Sequence, residues 1–141
     1  MYRRDLNSDI RVASAITPQA LTTSDVNGSV IDRAGFETIE FVGNVSTGTI
    51  DGTNFITVRV FEGDLLANGN NPVFSNLTEV AATDLLDGTV AVTAAGAFKV
   101  GYIGYRRFVA IQFDVTGTVA VTASGTSILA NPHLAPVDKD V

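Results

Sequence analysis

The sequence contains no cysteine and no tryptophan, and only one histidine. Without thiols, disulfides and thiolate metal sites are excluded, which is compatible with a cytosolic origin. One histidine excludes histidine-rich metal sites. His133 lies between Pro132 and Pro136 with no evident carboxylate to orient it, so it reads as a solvent-exposed tail residue rather than a triad member. Lysine occurs only at Lys99 and Lys139, and the formal net charge is −6. The few basic residues form no stripe, so no nucleic-acid partner is expected. No apolar run approaches the roughly 18 residues of a membrane helix, so no membrane partner is expected. Met1-Tyr2-Arg3-Arg4-Asp5 carries no apolar core of the signal-peptide kind. No phosphate-binding loop, dinucleotide fingerprint or nucleophile–base pair can be assembled. The chain therefore reads as a non-enzyme without a cofactor.

What remains is β chemistry. The 141 residues suit one domain. Val, Ile, Phe and Thr are frequent, and thirteen glycines divide the chain into short pieces. In Phe108–Val115, Val109, Ile111, Phe113 and Val115 share one side, and Ala110, Gln112 and Asp114 the other. That period of two marks a half-buried strand. Phe98, Val100 and Tyr102 alternate before it, and Val119, Val121 and Ala123 after it. With Val115-Thr116-Gly117-Thr118 as a short turn, these three runs predict an antiparallel meander. Phe36–Val45 predicts another strand, with Ile39, Phe41, Gly43 and Val45 on one face. Asp51-Gly52 predicts a type I′ hairpin into a returning strand, Phe55–Glu62. There Ile56, Val58 and Val60 face one way, and Phe55, Thr57, Arg59 and Phe61 the other. Two partly apolar faces imply cover on both sides or a subunit interface.

About eight or nine short strands predict an all-β fold, an antiparallel β-sandwich or jelly-roll-like barrel with an extended N-terminal arm. The lack of helical periodicity excludes parallel α/β folds. Residues 1–28 form the arm, 29–131 the β-sandwich domain and 132–141 a C-terminal tail. The first stretch has irregular apolar spacing at Leu6, Ile10, Val12, Ile16 and Leu21, broken by Thr17-Pro18. It reads either as an arm contacting a neighbouring subunit or as an edge strand or frayed tail of the same domain. Gly63 to Asn76 is the longest irregular stretch, with Phe74, Leu77 and Val80 pinning its far end. A bulge or turn is expected at Ser124-Gly125-Thr126, and regular structure ends at Asn131-Pro132.

Glu62 and Asp64 open the long loop near Asn68, Asn70 and Asn71, but calcium-loop spacing is missing, so a solvated loop is the better reading. Asp84 and Asp87 are expected to cap a short helical turn. In Gly101-Tyr102-Ile103-Gly104-Tyr105 the glycines permit a bulge or close backbone approach. Arg106 and Arg107 follow, either with one of them a cation–π or carboxylate partner near Tyr102 or Tyr105, or as edge-strand charges that discourage aggregation.

Tyr102-Ile103-Gly104-Tyr105-Arg106-Arg107-Phe108-Val109, followed by Val115-Thr116-Gly117-Thr118, resembles a pattern in small all-β structural proteins of tailed bacteriophages encoded near the major capsid gene. Val12-Ala13-Ser14-Ala15-Ile16-Thr17-Pro18, Gly35-Phe36-Glu37 and Ala130-Asn131-Pro132 are similar to the same group. The resemblance covers most of the chain in short motifs. It implies a virion structural protein, a capsid decoration or cement protein on the outer capsid surface, assembled in the bacterial host cytoplasm. Its implied partners are itself, as a homo-oligomer with a trimer favoured, and the major capsid protein. The candidate interface residues are Arg3, Arg4, Ile10, Val12, Phe55, Arg59, Phe61, Tyr102, Tyr105 and Arg106. The rival readings are a neck, tail or head-completion protein, or a receptor- or carbohydrate-binding β-sandwich, for which Tyr102 and Tyr105 are the aromatic candidates.

Overall fold

The alternating runs become strands, and their apolar sides meet in one core. The computed structural model describes residues 6–86 and 88–133. In chain order the strands are β1 (Ile10–Leu21), β2 (Val26–Asn27), β3 (Ile31–Asp32), β4 (Phe36–Val45), β5 (Phe55–Gly63), β6 (Thr78–Glu79), β7 (Leu85–Leu86), β8 (Val90–Val92), β9 (Gly96–Tyr102), β10 (Phe108–Thr116) and β11 (Val121–Pro132). Among the described residues, no helix is long and apolar enough to cross a membrane.

Two antiparallel sheets result. Sheet A has the order β1-β11-β4-β9-β7, and sheet B the order β2-β10-β5-β6, with β3 also on β10 and β8 also on β5. The short pieces β2 and β3 follow one another along β10, so they act as one interrupted strand. β6 and β8 do the same along β5. Counted so, the main strands run 1-8-3-6 in one sheet and 2-7-4-5 in the other, with β7 added at the edge of sheet A. That interleaving of first with last and second with next-to-last is the jelly roll, a form of the expected β-sandwich.

This order overturns the meander. β9 and β11 lie in sheet A, while β10, between them in sequence, lies in sheet B. The hairpin at Asp51-Gly52 fails for the same reason: β4 and β5 belong to opposite sheets. Residues 46–54 cross the roughly 10 Å between layers, which a two-residue turn does not span. Asp51 turns the crossing instead, its Oδ1 accepting from the Thr53 and Asn54 backbone N–H groups at 2.7 and 2.8 Å. Those bonds hold its carboxyl below the usual range.

Between the sheets, Ile39, Phe41, Val100 and Leu129 meet Ile56, Val58, Val60, Val109 and Ile111, all nearly free of solvent. Phe98 meets Phe113 edge to face at 5.7 Å. Ser127 is the buried polar side chain of this core, and its hydroxyl donates to Ala13 O at 3.1 Å. Ser124-Gly125-Thr126 is neither bulge nor turn. β11 runs straight through it, pairing Gly125 with Gly43, and a Cβ at Gly125 would stand 2.8 Å from Ile111 Cδ1. Regular structure ends at Asn131-Pro132 as expected, and Asn131 has a φ of 53°, the left-handed conformation that asparagine tolerates. The strand reaches Pro132, paired with Phe36.

Of the two readings of the N-terminal stretch, Ile10–Leu21 follows the second: it is the edge strand of sheet A, paired with β11. Register shifts fall between Ser14 and Ile16 and between Ile16 and Gln19. The boundary expected at residue 28 falls within bonded backbone, since Gly28 N–H donates to Ile111 O and Ser29 N–H to Ala15 O, both at 2.8 Å. Residues 1–5 and 134–141, and with them Arg3, Arg4 and most of the expected tail, lie outside the described residues, as does Asp87. Asp84 ends a 3₁₀ turn, Ala82–Asp84, rather than capping it; Ala81 holds the cap position.

Candidate interaction surface

The switch of sheets between β9 and β10 leaves residues 103–107 as a loop across one end of the sandwich. Tyr102 ends β9 beneath it and is only 4% exposed. Its hydroxyl donates to Glu62 Oε2 and accepts from the Arg106 backbone N–H, the latter at 3.1 Å. Burial, and then the Glu62 carboxylate, push the Tyr102 hydroxyl well above its ordinary pKa. Gly104 is required here, because a Cβ would fall 2.2 Å from the Tyr102 oxygen. The close approach read from the glycine-rich sequence is therefore real.

Arg33 fastens the loop from below. Its guanidinium lies 5.4 Å from the Tyr102 ring centroid and donates to Arg106 O at 2.6 Å, Glu37 O at 2.7 Å and Gly104 O at 3.0 Å. Arg106 pairs with Asp64, and the Arg107 N–H adds a 3.2 Å bond to the same carboxylate. The Arg106 guanidinium holds the Asp64 carboxyl below the usual range. Arg107 reaches Asp32 with two parallel bonds of 2.7 and 2.8 Å, lowering that carboxyl in turn, and lies 5.0 Å from the Phe108 ring centroid. The expectation of a cation–π or carboxylate partner near the tyrosines is met for Arg106 by Asp64, and the ring contact with Tyr102 comes from Arg33.

So tethered, the loop holds Tyr105 out at 97% exposure, beside a half-exposed Ile103. A cavity of about 600 Å³ opens between the loop, Glu62, Asp64 and Asp84. Glu62 and Asp64, read as parts of a solvated loop, instead face Tyr102 and Arg106. Asn68 does behave as turn chemistry, accepting from the Asn70 N–H at 3.0 Å.

A second concavity, about 530 Å³, lies on the outer face of sheet A where β11, β4 and β9 run side by side. Its floor is the backbone of β4 at Gly43, which on the core side leaves no room for a Cβ beside the Phe98 ring; its walls include Val42, Ala97 and Thr126, with Lys99 at the rim.

Arg3 and Arg4 lie outside the described residues, and the other eight candidate interface residues fall in separate places. Ile10 and Val12 lie on the outer face of β1, opposite Ala130 and Ile128. Phe55, Arg59 and Phe61 lie on the outer face of sheet B. There Arg59 bridges Asp114 at 2.6 Å and Glu79 at 2.8 Å, and Phe61 packs on Phe74 at 4.8 Å. Tyr105 and Arg106 stand at the loop. Tyr102 is corrected to an internal support, because its burial leaves no ring surface for a partner. Sequence reasoning missed Arg33, the outer hollow and Lys99. The ring contact of Arg33 bridges 69 positions in sequence, and no local pattern announces it.

No family model matches this chain, and no curated protein matches it. Among solved structures, similarity extends to a chain in the cryo-EM structure of Mud crab tombus-like virus, at 9% identity, covering 96% of this chain and 87% of that one, with a TM-score of 0.27.

Proposed function

We propose that this protein is a structural component of a virus particle: a decoration or cement protein of a tailed bacteriophage, bound to the outer surface of the head. In this reading it is assembled in the host cytoplasm, associates with itself, a trimer favoured, contacts the major capsid protein and has no catalytic role. The observation that carries the reading is the jelly roll with one broad face left open among the described residues. The outer face of sheet A presents Val42, Ala97, Ser124, Thr126 and Ile128, with few charges. A rigid β body with such a face is suited to repeated lateral contact, where many weak contacts around a shell add up by avidity. Jelly rolls serve capsids, lectins and cupins alike, so the fold supports the class by analogy. Within that class, the short sequence motifs that resemble phage head proteins support the finer reading.

The exposed Tyr105 beside a carboxylate-lined cavity favours one second reading, a carbohydrate-binding module that stacks a sugar ring on that tyrosine. Purified particles distinguish the two. Quantitative mass spectrometry with surface labelling is expected to find the chain in copy numbers comparable to the major capsid protein and accessible from outside. A few copies confined to the neck or tail, or absence from the particle, would refute the head assignment.

A further inference from the structure

We infer that copies of this chain join head to tail, the Tyr105 loop of one seated in the sheet A hollow of the next. The inference rests on the self-association part of the reading above and names the surfaces that carry it.

Three observations converge on it. The first is rigidity. An exposed aromatic on a mobile loop loses entropy when it docks, whereas this loop is already held by Arg33, Tyr102, Asp64 and the Gly104 contact. A preorganised tyrosine is the kind of residue that anchors interfaces.

The second is shape. The hollow is concave, largely apolar and within the size range of sites that admit a ring. Its floor is bare backbone at Gly43, so an incoming ring lies flat between the side chains of Val42, Ala97 and Thr126.

The third is charge. Around the knob stand Glu62, Asp64 and Asp84 against Arg106, with Arg33 behind the loop. At the rim of the hollow stands Lys99. Neither Lys99 nor Asp84 takes part in the ion pairs formed among the described residues. The acidic knob and basic rim are complementary.

Topology makes the contact heterologous. The knob follows Tyr102 at one end of β9, while the hollow lies beside Ala97 and Lys99 towards the other end. One copy can therefore donate its knob and accept another at once, and such a contact closes into a ring when the rotation permits. The surrounding face, with Val12, Thr126 and Ile128, supplies the rest of the buried area.

The test uses the full chain in sedimentation velocity and native mass spectrometry. The wild type is expected to form a closed oligomer. Tyr105→Asp, at an exposed site that leaves circular dichroism unchanged, is expected to weaken assembly by roughly 30-fold or more. Lys99→Glu and Asp84→Lys are each expected to weaken it about two- to fivefold, and the double variant to recover most of the loss. A wild type that stays monomeric at high concentration overturns both this inference and the self-association above. An oligomer indifferent to Tyr105→Asp, or a double variant without recovery, overturns the knob-and-hollow contact alone. In that case the joining surface is another one, and the head-binding reading still stands.

Discussion

The two sheets show opposite outer faces. That of sheet B is finished by the chain itself. Phe108 and Ala110 point outwards from β10, on the side opposite Val109 and Ile111, yet they are 1% and 0% exposed. The segment after β5 folds back over them: Phe74 packs on Phe61, the pair partner of Ala110, and Leu77 lies against Gly63, the pair partner of Phe108. Further along, Arg59 ties β5 to β10 and β6, and Gln112 donates to Asn27 Oδ1 at 2.8 Å. The outer face of sheet A has no such cover among the described residues. Its Val42, Ser124, Thr126 and Ile128 are half-buried by one another, and Val12 is 44% exposed. A face that its own chain has closed has little left to offer a partner, whereas an open apolar face retains that capacity.

Removing a ring from the closed face breaks this comparison most severely. Phe108→Ala is expected to lower the free energy of unfolding by about 3–5 kcal/mol, as for a phenylalanine in any packed interior. Urea denaturation reads it directly. A loss below about 1 kcal/mol would mean that the overlying segment is loose, and that sheet B is as open as sheet A.

Next in size is the support under the loop. Tyr102→Phe keeps the ring and removes the bonds to Glu62 and the Arg106 N–H, for an expected cost of about 1–2 kcal/mol. It also changes the response to alkali. Because the folded pKa of Tyr102 lies above its unfolded value near 10, the two states hold the same proton below that pH. Above it the unfolded chain releases the proton while the folded chain keeps it, so stability falls as pH rises. The wild type should show this decline in thermal scans beyond pH 10, and Tyr102→Phe should show less of it. Equal slopes would mean that the hydroxyl is not held as described.

Alternation made the inward faces legible. Ile56, Val58 and Val60, and Val109, Ile111 and Phe113, are all buried as read, and Phe36–Val45 has the bounds read from sequence. Period two states which residues share a face but not which strand lies beside which, so the meander was a natural and mistaken inference. The sequence of edge strand β1 looks irregular because its register shifts around Ile16, with Pro18 at the second shift, break the period of two. At the loop, the tyrosines and Arg106 could be named from local composition. The contacts of Arg33 with Gly104 and Arg106, 71 and 73 positions away, could not, since only the folded sheets bring them together.

The smallest effect is the sharpest test of the open face. Val42→Thr preserves shape and adds a hydroxyl. In the core the same change at Val58, which is 0% exposed, would strand that hydroxyl and cost about 1–3 kcal/mol. On the outer face of sheet A, water can bond it, so the isolated chain should lose no more than about 0.5 kcal/mol. The outcome changes once copies assemble, because a second copy over the face would exclude that water. The penalty should then emerge with concentration: unfolding midpoints of Val42→Thr and wild type should coincide when dilute and separate when concentrated, as binding to the folded state alone requires. Midpoints already separated at high dilution would mean that the chain covers this face itself, and the contrast between the two sheets would fall.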